Sequence, residues 1–263
     1  MYKSYKFLVL HCLPIVLSSC LGTKTGNPGK VDAELTIAGN SETSQRTLVQ
    51  QSSGGTDLNG HPIQVNSAWF SYVELNIHGA EDGVVHEAEG LSVANPQIVN
   101  MLNPSTQNAS QIRIPNIAIS ELSLLLGGAN NAQLPNNAPS ELEQSSFVIE
   151  STVSGKNFKI LGENFSWIQI SGDRSLQVSH SDRLLLLLNF VELFEKIDFS
   201  AIQNGDVISE ANPVYGHQLC PSLNPSPVSL YHCVLESIER SGQFGIDKNN
   251  NFQFDLGESF FKF

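Results

Sequence analysis

The stretch from Phe147 to Leu161 most tightly limits what this chain can fold into. Two runs, FVIESTV and NFKIL, alternate apolar and polar side chains and flank the tripeptide Ser154-Gly155-Lys156. Alternation with a period of two places every second side chain on one face of a strand, and a short glycine-containing connection joins such strands as a hairpin. The stretch therefore predicts an antiparallel β-hairpin with one buried face.

Similar patterns recur along most of the chain. Strand-like runs are VDAELTIA (31–38), IQVNSAWFSYVELNI (63–77), 112–126 around Pro115, SWIQIS, SLQVS and the last five residues, SFFKF. The run RLLLLLNF (183–190) is apolar at consecutive positions, which indicates a strand buried on both faces. Because proline cannot donate to a sheet ladder, Pro115 should mark an edge or a break. These runs predict a mainly β fold, an antiparallel β-sandwich.

One or two short helices are expected toward the C-terminus. VELFEKI (191–197) has helical spacing after Asn189, a suitable cap, and Ser226-Pro227 resembles a helix start that continues to about Arg240. That second helix would bury Val228, Tyr231, Val234, Leu235 and Ile238. The polar stretches 39–60 and 127–146 predict loops, the first of them mobile. Residues 31–263 are expected to form a single domain.

The N-terminal segment has the features of a secretory signal. Lys3 and Lys6 form a basic head, and the apolar run from Phe7 to Leu17 is shorter than the roughly 20 residues needed to cross a bilayer as a helix. Leu17-Ser18-Ser19-Cys20 resembles the bacterial lipobox, which implies cleavage of the signal peptide 1–19 and acylation of Cys20, for example with palmitate. The alternative is a chance cysteine after an ordinary cleavage site at Ser19.

Lipidation would give the mature chain a membrane partner. Two or more acyl chains hold a protein stably on a bilayer. Leu21 stands where lipoproteins retained at the inner membrane typically carry Asp, so the resemblance implies the outer membrane. Residues 20–30, CLGTKTGNPGK, would then be a lipidated tether, since their Gly, Pro and Thr content is typical of a spacer.

The charge of the chain argues against a nucleic acid partner. Loss of Lys3 and Lys6 reduces the basic side chains from 14 to 12, while 26 acidic side chains remain, so the mature chain has a formal charge of −14. Such a surface lacks the basic footprint that phosphate backbones require. It suits divalent cations, although solubility alone also accounts for a charge of this sign.

Cys220 and Cys233 remain after the signal cysteine Cys12 is removed and Cys20 is lipidated. In an oxidising envelope compartment, a pair 13 residues apart is most simply a disulfide. Free thiols are one alternative. A zinc site with His217 and His232 is another, but His232 and Cys233 are adjacent, and adjacent side chains on a helix diverge by about 100°.

The order of several motifs resembles a group of uncharacterised Gram-negative lipoproteins with a domain of unknown function. The shared layout consists of Cys20 followed by GTKTGNP, then SAWFSYVELNI, VNMLNP, NAPSEL, RLLLLLNF with VELFEKIDFSAI, and an acidic final loop. The resemblance covers most of the mature chain. It implies a β-sandwich in the cell envelope and names no substrate.

Familiar catalytic motifs are missing from the sequence. It contains no GxSxG, no HExxH and no phosphate-binding glycine loop. The run Ser179-His180-Ser181-Asp182 combines a hydroxyl, an imidazole and a carboxylate, but neighbouring residues on a strand point to opposite faces, so we interpret it as a polar turn. We expect no catalytic residues.

The segment 247–258, DKNNNFQFDLGE, has the spacing of a twelve-residue calcium loop. Calcium takes six to eight oxygens, supplied by alternating side chains, the carbonyl of position seven and a bidentate glutamate at position twelve. The residues at the ligand positions are Asp247, Asn249, Asn251, Gln253, Asp255 and Glu258. The loop therefore predicts a Ca²⁺ site, with a merely solvated acidic turn as the alternative.

Phe252 is the unusual residue of this loop. It occupies position six, where calcium loops turn sharply with a positive φ that costs a non-glycine residue about 1–2 kcal/mol. We expect weakened affinity, or a turn moved to Asn250 or Asn251. Because only SFFKF follows the loop, a paired helix–loop–helix hand is not expected. Calcium would instead brace the C-terminal segment.

The expected function is that of an outer-membrane lipoprotein acting as a non-catalytic binding or structural module, stabilised by calcium. Its protein or glycan partner cannot be named from the sequence. The alternative is an envelope hydrolase or carbohydrate-active enzyme on the same sandwich, which would need a concave site with convergent carboxylates or a nucleophile–base pair.

Overall fold

A computed structural model describes residues 30–40, 52–81, 84–87, 91–103, 110–130, 132–163, 165–223, 229–255, 258 and 260–262. The signal segment 1–19, the lipobox cysteine Cys20, the tether up to residue 29 and the Ser226-Pro227 helix start lie outside these residues. Within the described part of the chain, no helix is long and apolar enough to cross a bilayer.

The described elements are mainly strands. In chain order they are β1 (Lys30–Asn40), β2 (Ser52–Thr56), β3 (Pro62–Glu81), β4 (Val84–Glu87), β5 (Leu91–Asn100), β6 (Ser110–Pro115), β7 (Ala118–Leu126), β8 (Phe147–Val153), β9 (Lys156–Leu161), β10 (Ser166–Gln177), β11 (Arg183–Asn189), α1 (Phe190–Phe194), β12 (Asp206–Ile208), α2 (Leu230–Ser241), β13 (Gly242–Ile246) and β14 (Phe260–Lys262). A short 3-10 helix, Ser140–Glu143, precedes β8.

The strands form two sheets, which we call the small sheet and the large sheet. The small sheet has the order β14-β13-β11-β1-β6, and the large sheet has the order β10-β7-β3-β8-β9-β12, with β2, β4 and β5 also paired to β3. Most pairings are antiparallel, while β1 with β11 and β9 with β12 are parallel. The expected mainly β sandwich with one or two short helices is confirmed. It has two α-helices among the described residues, and its sheets are mixed rather than purely antiparallel.

The hairpin predicted from Phe147 to Leu161 is confirmed. Strands β8 and β9 pair from Val148↔Leu161 to Val153↔Lys156. The two residues between the strands, Ser154 and Gly155, have φ values of 50° and 78°, as a two-residue hairpin turn of the primed type requires.

Strand β11 is apolar on both faces, as its run of leucines predicts. Leu184, Leu186 and Leu188 belong to the main core between the sheets. Leu185 and Leu187 point to the opposite face of the small sheet, where they form a second apolar cluster with Ala38. This second cluster needs a cover of its own, and the C-terminal loop described below provides it.

Two short helices close one end of the core. Asn189 caps α1 by accepting hydrogen bonds from the amides of Val191 and Glu192, as expected. Helix α2 buries Tyr231, Val234 and Ile238 on one face. The hydroxyl of Ser237 in α2 donates to the carbonyl of Leu193 in α1 at 2.6 Å.

Three details of the sequence interpretation were wrong. The stretch 39–60, expected to be a mobile loop, contains the end of β1, the strand β2 and a turn at Asp57. SWIQIS and SLQVS form one strand, β10, with a register shift between Ser171 and Leu176. The N-cap of α2 is Ser229, three residues later than expected, because its side chain accepts from the amide of His232.

Other details are confirmed. Pro115 ends β6, the edge strand of the small sheet, where the missing proline donor costs no ladder hydrogen bond. The last residues form β14, which pairs with β13 through Gly245↔Phe260 and Phe244↔Phe261. The calcium-like loop therefore connects two neighbouring strands of the small sheet.

Candidate functional site

The loop 247–258 begins at a buried carboxylate. Asp247 follows β13 directly and is 3% exposed, and its amide donates to the carbonyl of Arg183 at the start of β11. Its two carboxylate oxygens accept the amides of Asn251 at 3.2 Å and Phe252 at 2.8 Å. The carboxylate at position one thus holds the sharp turn of the loop in place.

The side chains at positions three, five and nine meet inside the loop. The amide nitrogens Nδ2 of Asn249 and Asn251 both donate to Oδ2 of Asp255, at 2.6 and 2.8 Å. Their amide oxygens accept backbone amides instead, from Asn251 to Asn249 at 3.0 Å and from Gln253 to Asn251 at 2.9 Å. Two amide donors therefore face the carboxylate of Asp255.

Glu258 at position twelve closes the loop. Its Oε1 accepts the amide of Lys248 at 2.8 Å, and its Oε2 accepts the amide of Asp255 at 2.9 Å. Both carboxylate oxygens thereby join the first and last turns of the loop. The expected ligand positions one, three, five, nine and twelve all belong to one hydrogen-bonded network.

The tight turn stays on Phe252. Phe252 and Asn250 both have a φ of 59°, whereas Asn251 is not among the positive-φ residues. The turn was expected either at Phe252 or, as the alternative, at Asn250 or Asn251. Positive φ values occur at both Phe252 and Asn250, so position six keeps its turn and Asn250 adopts the same conformation. A phenylalanine in this conformation stores about 1–2 kcal/mol of backbone strain.

Packing explains why an aromatic residue stands at position six. Phe252 and Phe254 are partly buried and pack against the cluster of Ala38, Leu185 and Leu187 on the outer face of the small sheet. The loop therefore covers apolar surface that the main core does not reach. Full burial of an aromatic side chain contributes about 1.5–3 kcal/mol, so the partial burial of Phe252 is comparable in size to the strain at that residue.

The loop has the oxygen-bearing side chains of a calcium site, but the side-chain amide nitrogens of Asn249 and Asn251 face its interior. Within the described residues, no three His, Cys, Asp or Glu side chains form a metal-holding group. Here, Asp255 faces amide nitrogens, and a half-turn of Asn249 and Asn251 about the last side-chain bond would bring their oxygens to that position. The residue types suit calcium. Binding would require both amides to rotate and the carboxylates of Asp247 and Glu258 to turn toward the ion from the backbone amides they now accept.

The second candidate site, the pair of cysteines, is a disulfide bond rather than a metal site. Cys220 and Cys233 form a disulfide with Cα atoms 5.9 Å apart, joining the loop before α2 to the first turn of that helix. Both residues are buried. His232 points away from the pair, with its Nδ1 2.7 Å from the hydroxyl of Ser229.

The serine–histidine contact next to the disulfide has a structural role. Ser229 is 1% exposed and accepts the amide of His232 at 3.3 Å as the N-cap of α2. A buried capping hydroxyl has no access to a substrate. The contact orients the first turn of the helix.

The run Ser179–Asp182 is a polar turn, as expected. Oδ2 of Asp182 accepts the amide of Ser179 at 2.7 Å, and Ser181 has a φ of 67°. Nδ1 of His180 accepts the amide of Asp32 at 3.3 Å. Asp182 therefore holds the turn between β10 and β11, and His180 joins that turn to β1.

Sequence reasoning missed a second buried carboxylate, Asp57, in the turn between β2 and β3. Its Oδ1 accepts the amides of Asn59 and His61 at 2.9 and 2.8 Å, and its Oδ2 contacts Nδ1 of His61 at 3.0 Å and the amide of Phe199 at 3.3 Å. Burial alone would raise the pKa of the Asp57 carboxyl, but these hydrogen bonds lower it overall. The sequence DLNGHP, with its Asn-Gly pair, carried the turn signal.

Tyr231 links helix α2 to the turn after β9. Its hydroxyl accepts the amide of Glu163 at 2.9 Å. Burial, followed by the negative charge of Glu210, raises the pKa of Tyr231 far above its usual value. The phenol therefore stays neutral and fixes the helix against the large sheet.

A small cavity lies between the two sheets. Its volume is about 30 Å³, close to the space of one water molecule. Its lining is apolar and includes Phe70, Tyr72, Leu124, Ile168 and Leu186. It is too small and too apolar to serve as a catalytic cavity.

Comparisons with known proteins add little to this geometry. No protein-family model matches the chain, and no curated protein matches it. A solved structure with some similarity is MbnP from Methylosinus trichosporium, with 12% sequence identity and a TM-score of 0.39; the match covers 67% of this chain and 82% of that one. Similarity at this level carries no argument about function.

Proposed function

We propose that this chain is a lipid-anchored, non-catalytic binding or structural module of the outer membrane, whose C-terminal segment is braced by calcium. One observation carries the proposal: the loop 247–258 gathers five oxygen-bearing side chains in one network while Phe252 and Phe254 cover the outer face of the small sheet. A cation held by this loop would stabilise that cover and strand β14 together.

Each end of the chain has a separate role in this proposal. Acyl chains on Cys20 attach the N-terminus to the membrane, and the spacer up to Lys30 leads into β1. Calcium acts at the opposite end of the sequence, next to β13 and β14 in the same small sheet. Because the ion would complete a packed surface, its role is structural.

The residues of the loop suggest how calcium is held. The carboxylates of Asp247, Asp255 and Glu258 supply negative charge, and Asn249 and Asn251 supply neutral oxygens after their amides rotate. The backbone carbonyl of Gln253 is the sixth group expected at this spacing. Calcium would replace the two amide donors that now face Asp255.

The calcium test compares thermal unfolding of the chain from Leu21 to Phe263 in EDTA and in millimolar calcium. Binding to the folded state alone raises the unfolding temperature in proportion to occupancy. We expect calcium to raise it and magnesium to raise it much less, because magnesium requires a smaller octahedral site. Identical unfolding curves in EDTA and calcium would refute the calcium brace.

The anchor test uses Cys20→Ser in the full chain. We expect the wild-type chain to sediment with membranes and the variant to remain in the soluble fraction, with Cys12→Ser as the matched control that keeps attachment. Metabolic labelling with palmitate should mark the wild type and the control. Membrane attachment of Cys20→Ser would refute the lipid anchor.

A further inference from the structure

The outer face of three neighbouring strands in the large sheet carries two exposed side chains, Trp167 and Gln169, beside polar side chains that are mostly half-buried. Across β10, β7 and β3, Trp167 pairs with Leu125 and Leu125 pairs with Glu74. The next rows along the strands bring Gln169 beside Ser123 and Asn76, and Ser171 beside Glu121 and His78. Paired residues of antiparallel strands lie on the same face, so these side chains share one surface.

One aromatic residue of these rows is left exposed. Trp167 is 46% exposed. Tryptophan carries one of the largest apolar areas of any side chain and is enriched where proteins contact partners. We call the surface formed by the following side chains the aromatic face: Trp167, Gln169, Asn76, Glu74 and Glu121.

The strands that carry the aromatic face pack on the main core through their opposite side. The side chains that alternate with it, Leu122, Leu124, Ile168 and Ile170, are buried in the main core. Successive residues on one face of a strand lie roughly 6.6 Å apart, and neighbouring strands lie about 4.8 Å apart. The three rows therefore span about 13 Å along the strands and about 10 Å across them, enough for a few linked sugar rings.

The chemistry of the rows fits an uncharged, hydroxyl-rich ligand. A flat indole ring can stack on the C–H face of a pyranose. Amides and carboxylates can each form two hydrogen bonds with neighbouring hydroxyl groups of the sugar. The row next to Trp167 supplies amides from Gln169 and Asn76, and Glu74 and Glu121 supply carboxylates. Binding sites typically combine an aromatic platform with a few well-placed polar groups in this way.

Charge complementarity narrows the choice of ligand. The aromatic face carries the carboxylates of Glu74 and Glu121, of which Glu121 lies 3.7 Å from Nε2 of His78 in the same row. Its defining side chains include no lysine or arginine, and the chain has a formal charge of −12. Nucleic acids, sulfated glycans and anionic lipid headgroups would be repelled. A membrane or an apolar helix would require a continuous apolar patch, whereas polar side chains dominate two of the three rows.

We propose that the aromatic face binds an uncharged oligosaccharide, with Trp167 as the stacking platform and Gln169, Asn76 and Glu74 as hydrogen-bonding groups. This inference rests on the role of the chain as a binding module and names the class of its ligand. It needs neither calcium nor the lipid anchor, since the loop 247–258 covers the small sheet and this face belongs to the large one.

The test uses the fluorescence of the full lipidated chain in a zwitterionic detergent that contains no sugar. The sequence has two tryptophans, and Trp69 is 5% exposed, so acrylamide quenching chiefly reports Trp167. The probes are cellohexaose and chitohexaose, both uncharged, with dextran sulfate as an anionic comparison. We expect a saturable blue shift and reduced quenching with at least one of the uncharged probes.

Single substitutions test whether the sugar binds at the aromatic face. Trp167→Ala should weaken binding by calorimetry roughly tenfold or more, and Gln169→Ala should weaken it while keeping the tryptophan signal. Trp69→Phe should keep the fluorescence change. Val207→Ala, an exposed apolar residue on β12 at the other edge of the large sheet, is the matched control and should bind normally. Far-UV circular dichroism verifies folding of each variant. If Trp167→Ala does not fold, the affinity of Gln169→Ala is used to test the site.

Several outcomes would overturn the inference. They are an absence of saturable binding to both uncharged probes, binding that survives Trp167→Ala and Gln169→Ala, and binding to dextran sulfate alone. The same titrations in EDTA and calcium separate this inference from the calcium brace. A normal calcium response without sugar binding would refute the glycan site alone.

Discussion

The backbone amide of Phe252 donates a 2.8 Å hydrogen bond to Oδ2 of Asp247. The acceptor is the buried carboxylate that starts the C-terminal loop, and the donor belongs to the residue at its sharpest turn. The ring of Phe252 packs on Ala38, Leu185 and Leu187. One residue therefore connects the polar interior of the loop to the apolar outer face of the small sheet.

The first prediction concerns the strain and packing of Phe252. Phe252→Gly relieves about 1–2 kcal/mol of backbone strain. It also removes a partly buried aromatic ring of comparable worth and gives the unfolded chain more conformational freedom. We expect a calcium-free unfolding free energy lower by about 1 kcal/mol and tighter calcium binding. Urea unfolding measures the first change, and calcium titration measures the second.

Phe254→Ala is the matched control for that variant. It removes packing on the same apolar cluster without touching a positive-φ residue. It should lower stability and leave calcium affinity near the wild-type value. Equal calcium affinities of Phe252→Gly and wild type would contradict the idea that the turn limits binding.

The second prediction separates charge from structure in the loop. Glu258→Gln keeps one side-chain oxygen as an acceptor for the amides of Lys248 or Asp255 and removes a negative charge, so calcium-free stability should change little. Calcium affinity should fall at least about tenfold, because the bidentate carboxylate is lost. Isothermal titration calorimetry measures the affinity.

Asp247→Ala should behave differently. Asp247 is buried and accepts two backbone amides. Its removal leaves the Phe252 amide without this acceptor and the Asn251 amide with Oδ1 of Asn249 alone, so it should cost about 1–3 kcal/mol even without calcium. Its response to calcium should also disappear. If Asp247→Ala unfolded like the wild type in EDTA, the carboxylate would not organise the turn.

The third prediction concerns the disulfide. Cys220→Ala with Cys233→Ala opens a loop of 13 residues and should lower the unfolding free energy by about 3 kcal/mol. The double variant avoids leaving one buried thiol. Urea unfolding of both proteins, with and without a reductant, provides the measurement.

Two controls accompany the disulfide experiment. A reductant should destabilise the wild type and leave the double variant unchanged. Elemental analysis should find no zinc in the purified wild type. Bound zinc that is lost in His217→Ala would favour the metal site over the disulfide.

The fourth prediction concerns acid unfolding. Hydrogen bonds lower the pKa of the Asp57 carboxyl in the folded state below its usual value of 3.8, against the effect of burial. Because the folded pKa is lowered, its contribution to stability is fully present above the unfolded pKa and is lost as the pH falls through the folded pKa. Wild-type stability should therefore decrease below about pH 4.

Asp57→Asn tests this linkage. The variant keeps an acceptor for Asn59, His61 or Phe199 but cannot ionise, so it should be less stable at pH 7 and should depend less on pH between pH 5 and 3. Urea unfolding at several pH values measures the slope. Asp198→Asn serves as the comparison, because Asp198 is only half-buried and its Oδ1 accepts the amide of Ser200. An unchanged slope in Asp57→Asn would contradict the assignment.

Local pattern predicted most of the elements. The hairpin of β8 and β9 follows from alternation and a glycine turn, because both signals lie within fifteen residues. The capped start of α1 at Asn189 and the terminal strand β14 follow from equally short signals. The calcium-like ligand spacing is also local, and the structure brings Asp247, Asp255 and Glu258 into one loop.

Long-range partners could not be predicted in the same way. Nothing near Asp57 in the sequence indicates that its carboxylate would accept the amide of Phe199, 142 residues away. The parallel pairing of β1 with β11 depends on the path of the whole chain. The aromatic face required the register of β10, β7 and β3, although the outward position of Trp167 was already visible in the alternation of SWIQIS.

The strand periods, the turn and cap residues, and the spacing of the oxygen ligands follow from the order of amino acids, since they depend on neighbours along the chain. The packing of Phe252 and of the leucines of β11 depends on contacts between distant segments. Their run of apolar side chains indicated burial on both faces, but not what covers the second face. The C-terminal loop covers it, because that loop lies beside β11 only after β13 has paired with it.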